Sequence, residues 1–258
     1  MILAVDIGNS NVLLGLVNNS KILQSWRLHT DIHLSVDEYE MLVRGMLFAC
    51  DFSLKDTQGA VLSSVVPELT EVFFKLLNNL IGKTPIKVSH ELNLGIEIKT
   101  EMPEKVGQDR LINALAAFNE YKTSLIIIDC GTATTLDVVT ADGFFLGGII
   151  CPGLLISAEV LFSKAAQLFQ VNLEMPENII GKNTTDSMKS GLIYGYGGMI
   201  DSLIKKLIIE INLPEGKVPK IVLTGGLAKK VLPILSNVIY HDDLTLRGLY
   251  LFYELNKK

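Results

Sequence analysis

The chain has 258 residues, enough for one large domain or two small ones. Hydrophobic residues make up 48% and charged residues 20%, a balance that excludes intrinsic disorder. A formal charge of −5 speaks against a general nucleic-acid or membrane-surface binder, although it leaves room for a local basic groove.

Cys50, Cys130 and Cys151 are too sparse for a zinc site or a disulfide framework, and they fit a reducing cytoplasm. The opening MILAVDIGNSN has no basic leader and carries Asp6, so no signal peptide is expected. Charges, Gly and Pro interrupt every apolar run before the roughly 18 residues that a membrane span needs. The mean hydropathy of +0.36 is then expected to reflect buried strands and helices, and a subunit interface.

Ile2–Val5, Val12–Val17 and Ile22–Leu28 are apolar runs separated by Asp6–Asn9 and by Asn18-Asn19-Ser20. They predict a meander of three strands, with Trp26 in the core. Ser35 followed by Glu38 is a capping box, and Tyr39, Leu42, Val43, Met46 and Leu47 continue at helical spacing. Gly59–Val65 reads as a strand. Pro67 opens a helix with Val72, Leu76, Leu77 and Leu80 on one face. Val106–Tyr121 predicts a helix, followed by strands over Leu125–Ile128, Leu136–Thr140 and Phe144–Ile150. Thr185–Ile211 reads as a long helix carrying Gly191, Gly195, Gly197 and Gly198, which weaken it unless another backbone packs closely. Ile221–Leu223 is a strand, and Leu227–Leu235 and Leu244–Leu255 predict closing helices.

The two halves carry a weak repeat. Leu3-Ala4-Val5-Asp6-Ile7-Gly8 and Ile127-Ile128-Asp129-Cys130-Gly131 both run from an apolar strand through Asp-x-Gly into small polar residues, about half a chain apart. Asp-x-Gly alone is a common turn, but here the flanking strand pattern repeats as well. Such a turn between strands exposes backbone N–H groups and hydroxyls that suit phosphate oxygens. Its Asp adds a carboxylate able to hold a cation, directly or through water. Neither a Gly-x-x-x-x-Gly-Lys-Ser/Thr loop nor a Gly-x-Gly-x-x-Gly fingerprint occurs.

Gly107-Gln108-Asp109-Arg110 heads a helix and bears two readings. Asp109 complements the helix dipole and Arg110 makes a surface ion pair. Alternatively, Asp109 is a general base on a substrate hydroxyl and Arg110 binds an anionic group. Thr224-Gly225-Gly226 follows a buried strand and is either a plain strand-to-helix turn or a seat for a flat purine. Asn183-Thr184-Thr185 is a helix cap, with Thr184 as a candidate hydroxyl donor. His29, His33, His90 and His241 show no metal-ligand spacing and are expected at the surface or already hydrogen-bonded.

In order along the chain stand Asp6-Ile7-Gly8-Asn9-Ser10-Asn11-Val12, Gly107 to Arg110, Asp129-Cys130-Gly131-Thr132-Ala133-Thr134-Thr135, Gly147 to Gly153, Asn183-Thr184-Thr185 and Thr224-Gly225-Gly226. Together they resemble the type III pantothenate kinase family over nearly the whole chain. The resemblance implies an α/β fold of two duplicated ribonuclease-H-like halves, of the actin, Hsp70 and sugar-kinase type, with the site in the cleft between them. The halves are expected at 1–120 and 121–258. It implies ATP-dependent phosphorylation of pantothenate to 4'-phosphopantothenate, the first step of coenzyme A synthesis, by a cytoplasmic homodimer that binds neither nucleic acid nor membrane.

Carried over by residue, the resemblance places the ATP phosphate loop at Asp6, Ile7, Gly8, Asn9, Ser10, Asn11, Val12 and Leu13, with Asp6 beside Mg2+. Thr132 matches a nucleotide contact, and Asp129 the ligand of a monovalent cation (K+ or NH4+). Gly107, Gln108, Asp109 and Arg110 match the pantothenate segment, with Asp109 as proton acceptor. Thr184 is a further substrate contact, and Gly225 and Gly226 match the adenosine side. One departure stands out. Thr100 occupies a substrate-contact position where the family commonly has Tyr, nine residues before Asp109. The competing expectations are a non-catalytic regulator, against which the intact Asp6, Asp109 and Asp129 argue, and another phosphotransferase of the same fold, which would lack the Gly-x-Asp-Arg stretch.

Overall fold

The computed structural model describes residues 1–50, 52, 57–165, 167–214 and 217–257. The chain divides into two compact units, Met1–Glu120 joined by the segment from Asp243 onward, and Tyr121–Asp242. The first division falls after Glu120, whereas the closing helix, expected in the half from 121 to 258, packs with the first unit.

In the first unit, β1 (Ile2–Ile7), β2 (Asn11–Asn18) and β3 (Lys21–His29) form the expected meander. Asn19 and Ser20 turn between β2 and β3 with positive φ, the backbone twist that a tight hairpin requires. Helix α1 (Val36–Phe48) begins at the Ser35–Glu38 capping box. Strand β4 (Gly59–Ser64) leads into α2 (Pro67–Ile81), followed by the short β5 (Ile86–Lys87) and β6 (Glu97–Ile98). Helix α3 (Gln108–Tyr121) starts two residues later than its apolar pattern, after a 3-10 turn at Pro103–Lys105. The five-stranded sheet runs β3-β2-β1-β4-β5, antiparallel from β1 to β3 and parallel from β1 through β5. Leu3, Val5, Ile7 and Leu62 on one sheet face pack against Tyr39, Phe73 and Leu76. Trp26 is only half-buried at the rim of this core, because β3 is the sheet's edge and most of its side chains face solvent.

In the second unit, β7 (Leu125–Cys130), β8 (Ala133–Val139) and β9 (Phe144–Pro152) form the second meander. Helix α4 (Leu154–Lys164), then α5 (Thr184–Ser190), a π-helical turn at Gly191–Gly195 and α6 (Tyr196–Ile211) follow. The chain then crosses β10 (Lys220–Thr224), the short α7 (Ala228–Val231) and β11 (Val238–Tyr240). Within this unit the strand order is β9-β8-β7-β10-β11, antiparallel from β7 to β9 and parallel from β7 through β11. Order and direction match those of the first unit strand for strand, so the sequence repeat is a repeat of topology.

Three expectations need correction. The long helix from 185 is interrupted by the π turn. Among the described residues no second backbone covers its glycines: Gly191, Gly195 and Gly198 have open space where a Cβ would stand, whereas Gly197 is approached by the Ile234 side chain at 2.8 Å. The helix expected over Leu227–Leu235 is regular only to Val231, because Pro233 has no N–H to continue the ladder.

Helix α8 (Leu244–Asn256) closes the chain in the first unit. It fits there because glycine leaves room for it: a Cβ on Gly15 would lie 2.7 Å from Leu246, and one on Gly248 would lie 2.3 Å from the Ile112 carbonyl. Thr245 Oγ1 donates to Asn113 Oδ1 at 2.8 Å, and Arg247 pairs with Glu120.

Candidate functional site

The turn between β1 and β2 is closed by the Gly8 N–H donating to the Asn11 carbonyl at 3.0 Å. Thr30, just past β3, fastens it from outside. Its Oγ1 donates to the Gly8 carbonyl at 2.7 Å and its N–H to the Ser10 carbonyl at 3.1 Å. Asp6 is half-buried and lies between Leu13 on β2 and Ser63 on β4. Asn9 and Asn11 are exposed, whereas Ile7 and Val12 are fully buried core residues. Ile7 and Val12 can therefore serve a phosphate only through their backbones.

The Gly107–Arg110 stretch sits in the same unit. Gln108 Oε1 accepts the Ser64 N–H at 3.1 Å, and Ser64 is the β4 residue paired with Ile7. The head of α3 is thereby tied to the strand beside the Asp6 loop. Asp109 curls back so that its Oδ1 accepts the Arg110 N–H at 2.9 Å. Burial pushes the Asp109 carboxyl above the usual carboxylate range, against the smaller lowering effect of the Arg110 backbone and charge. A Cβ on Gly107 would stand 2.6 Å from that same Oδ1, so this carboxylate position requires glycine. Thr100 presents a buried Oγ1 with no hydrogen-bond partner among the described residues.

In the second unit, the Gly131 N–H donates to the Ala133 carbonyl at 3.1 Å, closing the β7–β8 turn much as Gly8 closes the first. Asp129 ends β7, opposite Thr135 on β8 and Thr224 on β10. The Thr135 Oγ1 is buried without a hydrogen-bond partner among the described residues. Gly225 has φ +99°, and a Cβ there would meet Asp129 Oδ1 at 2.4 Å and Cys130 N at 2.5 Å. A Cβ on Gly153 would lie 2.1 Å from the Thr132 carbonyl, so the head of α4 is pressed onto the turn. Thr184 is exposed at the start of α5, where the Asn183 side chain caps the helix by accepting the Asp186 N–H at 2.8 Å.

The residues present fit cations of two kinds. Asp129 with the unpaired Thr135 hydroxyl across the strand offers hard oxygen donors, which suit a monovalent ion better than a soft metal. Asp6 supplies one carboxylate, and Mg2+ arriving with a nucleotide needs only one or two. Among the described residues no group of three His, Cys, Asp or Glu forms a protein-only metal cage. His29, His33 and His90 are exposed, and His241 Nε2 is hydrogen-bonded to Tyr121 Oη at 2.6 Å. Thr30, Ser64 and Tyr196 were not signalled by the sequence. Each acts through a tertiary contact, and no motif marks them.

A family model for type III pantothenate kinases matches residues 2–206. A type III pantothenate kinase of Pelobacter propionicus is 38% identical over the whole of both chains. One of Citrifermentans bemidjiense is 40% identical, again over the whole of both chains. Among solved structures, a Campylobacter jejuni protein described as a Baf family transcriptional activator superposes with a TM-score of 0.61 at 20% identity, covering 99% of this chain and 98% of that one. A Sinorhizobium meliloti protein described as a 2-dehydro-3-deoxygalactonokinase gives 0.57 at 13% identity, covering 98% of each. At such identities these two likenesses establish the fold, the actin, Hsp70 and sugar-kinase type, and nothing about activity.

Proposed function

The chain belongs to the type III pantothenate kinase family, and from that premise we propose how its residues carry out ATP-dependent phosphorylation of pantothenate at the head of coenzyme A synthesis. The observation that carries the reading is the placement of Asp109. A half-buried carboxylate of raised pKa stands at the head of α3, tied through Gln108 and Ser64 to the strand beside the Asp6 loop.

The primary hydroxyl of pantothenate is a poor nucleophile. Asp109 accepts its proton as the oxygen attacks the γ-phosphorus, and such base catalysis contributes about 10²–10⁴-fold. A carboxyl pushed up by burial is a stronger base than an ordinary one, which favours that role. Arg110 binds the anionic end of the substrate, with Gly107, Gln108, Thr100 and Thr184 as further contacts. The Gly8–Asn11 turn receives phosphate oxygens on backbone N–H groups and on Asn9, Ser10 and Asn11. Thr132 contacts the nucleotide and Gly225-Gly226 its adenosine. Mg2+ held by Asp6 would spread the charge of the transferring phosphoryl group, and a K+ or NH4+ ion at Asp129 would do so alongside it.

A homodimer belongs to this reading. Ile150, Val160, Ile179 and Ile180 are each exposed on the second unit, and a second copy would cover side chains of this kind. The reading also places the enzyme in the cytoplasm. The three cysteines are free, and no helix among the described residues is long and apolar enough to cross a membrane.

The deciding experiment is ADP release from Mg-ATP with and without pantothenate, in potassium and in sodium buffer. Pantothenate-dependent release favouring potassium is expected. Release independent of pantothenate, or none from folded protein, would overturn the assignment, and equal rates in the two buffers would remove the cation role of Asp129.

A further inference from the structure

The π-helical turn at Gly191–Gly195 delivers Tyr196 into the interior of the second unit, where it is 7% exposed. Its hydroxyl is hydrogen-bonded to Thr134 Oγ1, on the first turn of β8. Thr134 pairs directly with Cys130 on β7 and with Cys151 on β9, so it sits in the middle of the sheet immediately after the Gly131–Ala133 turn. Either hydroxyl can donate in that Tyr196–Thr134 pair. Leu154, the first residue of α4, lies in the same buried cluster as Tyr196. Burial pushes the Tyr196 phenol up to about 12, so it stays a neutral hydroxyl throughout the working range. Tyr196 therefore joins the head of α4, by packing, to the β7–β8 pair, through the Thr134 hydroxyl. Gly153, directly before α4, lies so close to the turn that a Cβ there would stand 2.1 Å from the Thr132 carbonyl.

We propose that Tyr196 is a positioning residue for the nucleotide, holding the Gly131–Thr134 turn and the head of α4 in one geometry through Thr134 and Leu154. The inference rests on the reading that Thr132 and its turn bind ATP. Tyr196 itself touches no substrate. Its effect appears in nucleotide binding because a turn whose N–H groups are misaligned loses several weak phosphate contacts at once. A π turn inside an otherwise α-helical run is the device that re-aims the ring, and such interruptions recur at functional sites.

The test measures binding of a non-hydrolysable ATP analogue to wild-type protein and to Tyr196→Phe, Thr134→Val, Thr134→Ser and Thr132→Ala, together with thermal melts and the KM for pantothenate. Tyr196→Phe and Thr134→Val are each expected to weaken the analogue about tenfold, the equivalent of one lost hydrogen bond. Their combination is expected to weaken it no further, and the KM for pantothenate to stay unchanged. Thr134→Ser, which keeps the hydroxyl, is expected to recover binding relative to Thr134→Val. If Thr132→Ala weakens the analogue while Tyr196→Phe does not, the positioning role falls and the ATP-site reading stands. A lower melting temperature with unchanged binding by the folded variant has the same meaning. If Thr132→Ala binds as wild type, the site reading falls and takes the inference with it. Should Tyr196→Phe fail to fold, the Thr134 pair decides: equal binding by the Ser and Val variants overturns the proposal.

Discussion

Gln108 Oε1 accepts the backbone N–H of Ser64 at 3.1 Å, joining residues that lie far apart in sequence. Ser64 ends β4 and pairs with Ile7, while Gln108 precedes Asp109. One side-chain hydrogen bond thus sets the distance between the carboxylate at the head of α3 and the phosphate-type turn after β1. Gln108→Ala should leave the Ser64 N–H without its partner and lower kcat about tenfold or more with a small loss of stability, read from steady-state rates and a melt. Unchanged kcat would make the contact purely structural.

Asp109→Asn should retain ATP binding and lose about 10²–10⁴ in turnover. The acid limb of the rate profile should lie above the ordinary Asp value, because the base must be deprotonated and burial raises its pKa. Stability runs the other way. A carboxyl whose folded pKa is raised holds its proton more tightly in the native state, so its contribution falls as pH rises from the unfolded to the folded pKa. At neutral pH the wild type bears the whole cost and the Asn variant none, so Asp109→Asn should melt no lower than wild type. A pH–rate profile whose acid limb is unshifted, or full activity in the variant, would remove Asp109 from the chemistry.

Gly107→Ala forces a methyl to within 2.6 Å of Asp109 Oδ1. The carboxylate must swing away, and displacement of a catalytic group by about 1 Å costs up to about 10²-fold. Turnover should fall while the nucleotide still binds with wild-type affinity. Calorimetric titration with an ATP analogue beside kinetics separates the two, and a wild-type kcat would show that the carboxylate works from another position.

Gly225→Ala combines a φ of +99° with a Cβ overlapping Asp129 Oδ1 and the Cys130 backbone. The loss should be about 2 kcal/mol or more, measured by chemical denaturation. Any folded population should also lose its preference for potassium, because the Asp129 carboxylate is displaced. A loss below about half a kcal/mol would mean that the β10 turn relaxes freely.

Much of this was legible in the chain. Strict apolar strands ending in Asp6-Ile7-Gly8 and Asp129-Cys130-Gly131 announce the two turns, because a backbone leaving a sheet through a tight turn favours Gly and small polar residues there. Ser35 with Glu38, Pro67 and Asn183 mark helix starts through contacts local in sequence. The edge position of Trp26 was not legible, because alternation along a strand does not say which strand is outermost. Nor was the return of α8 to the first unit, which depends on Gly15 and Gly248 meeting Leu246 and Ile112 far away in the chain.

Short-range pattern and ordered motifs carried the family and the strand–Asp-x-Gly–strand pattern that recurs in the two halves, since each is local in the chain. The tertiary structure alone decided that Gln108 would be held by Ser64, that Gly191, Gly195 and Gly198 would face open space among the described residues, and that Tyr196 would reach Thr134 through a π turn. These are contacts between distant segments, selected by packing. No local propensity favours one such partner over another, and the fold supplies the choice.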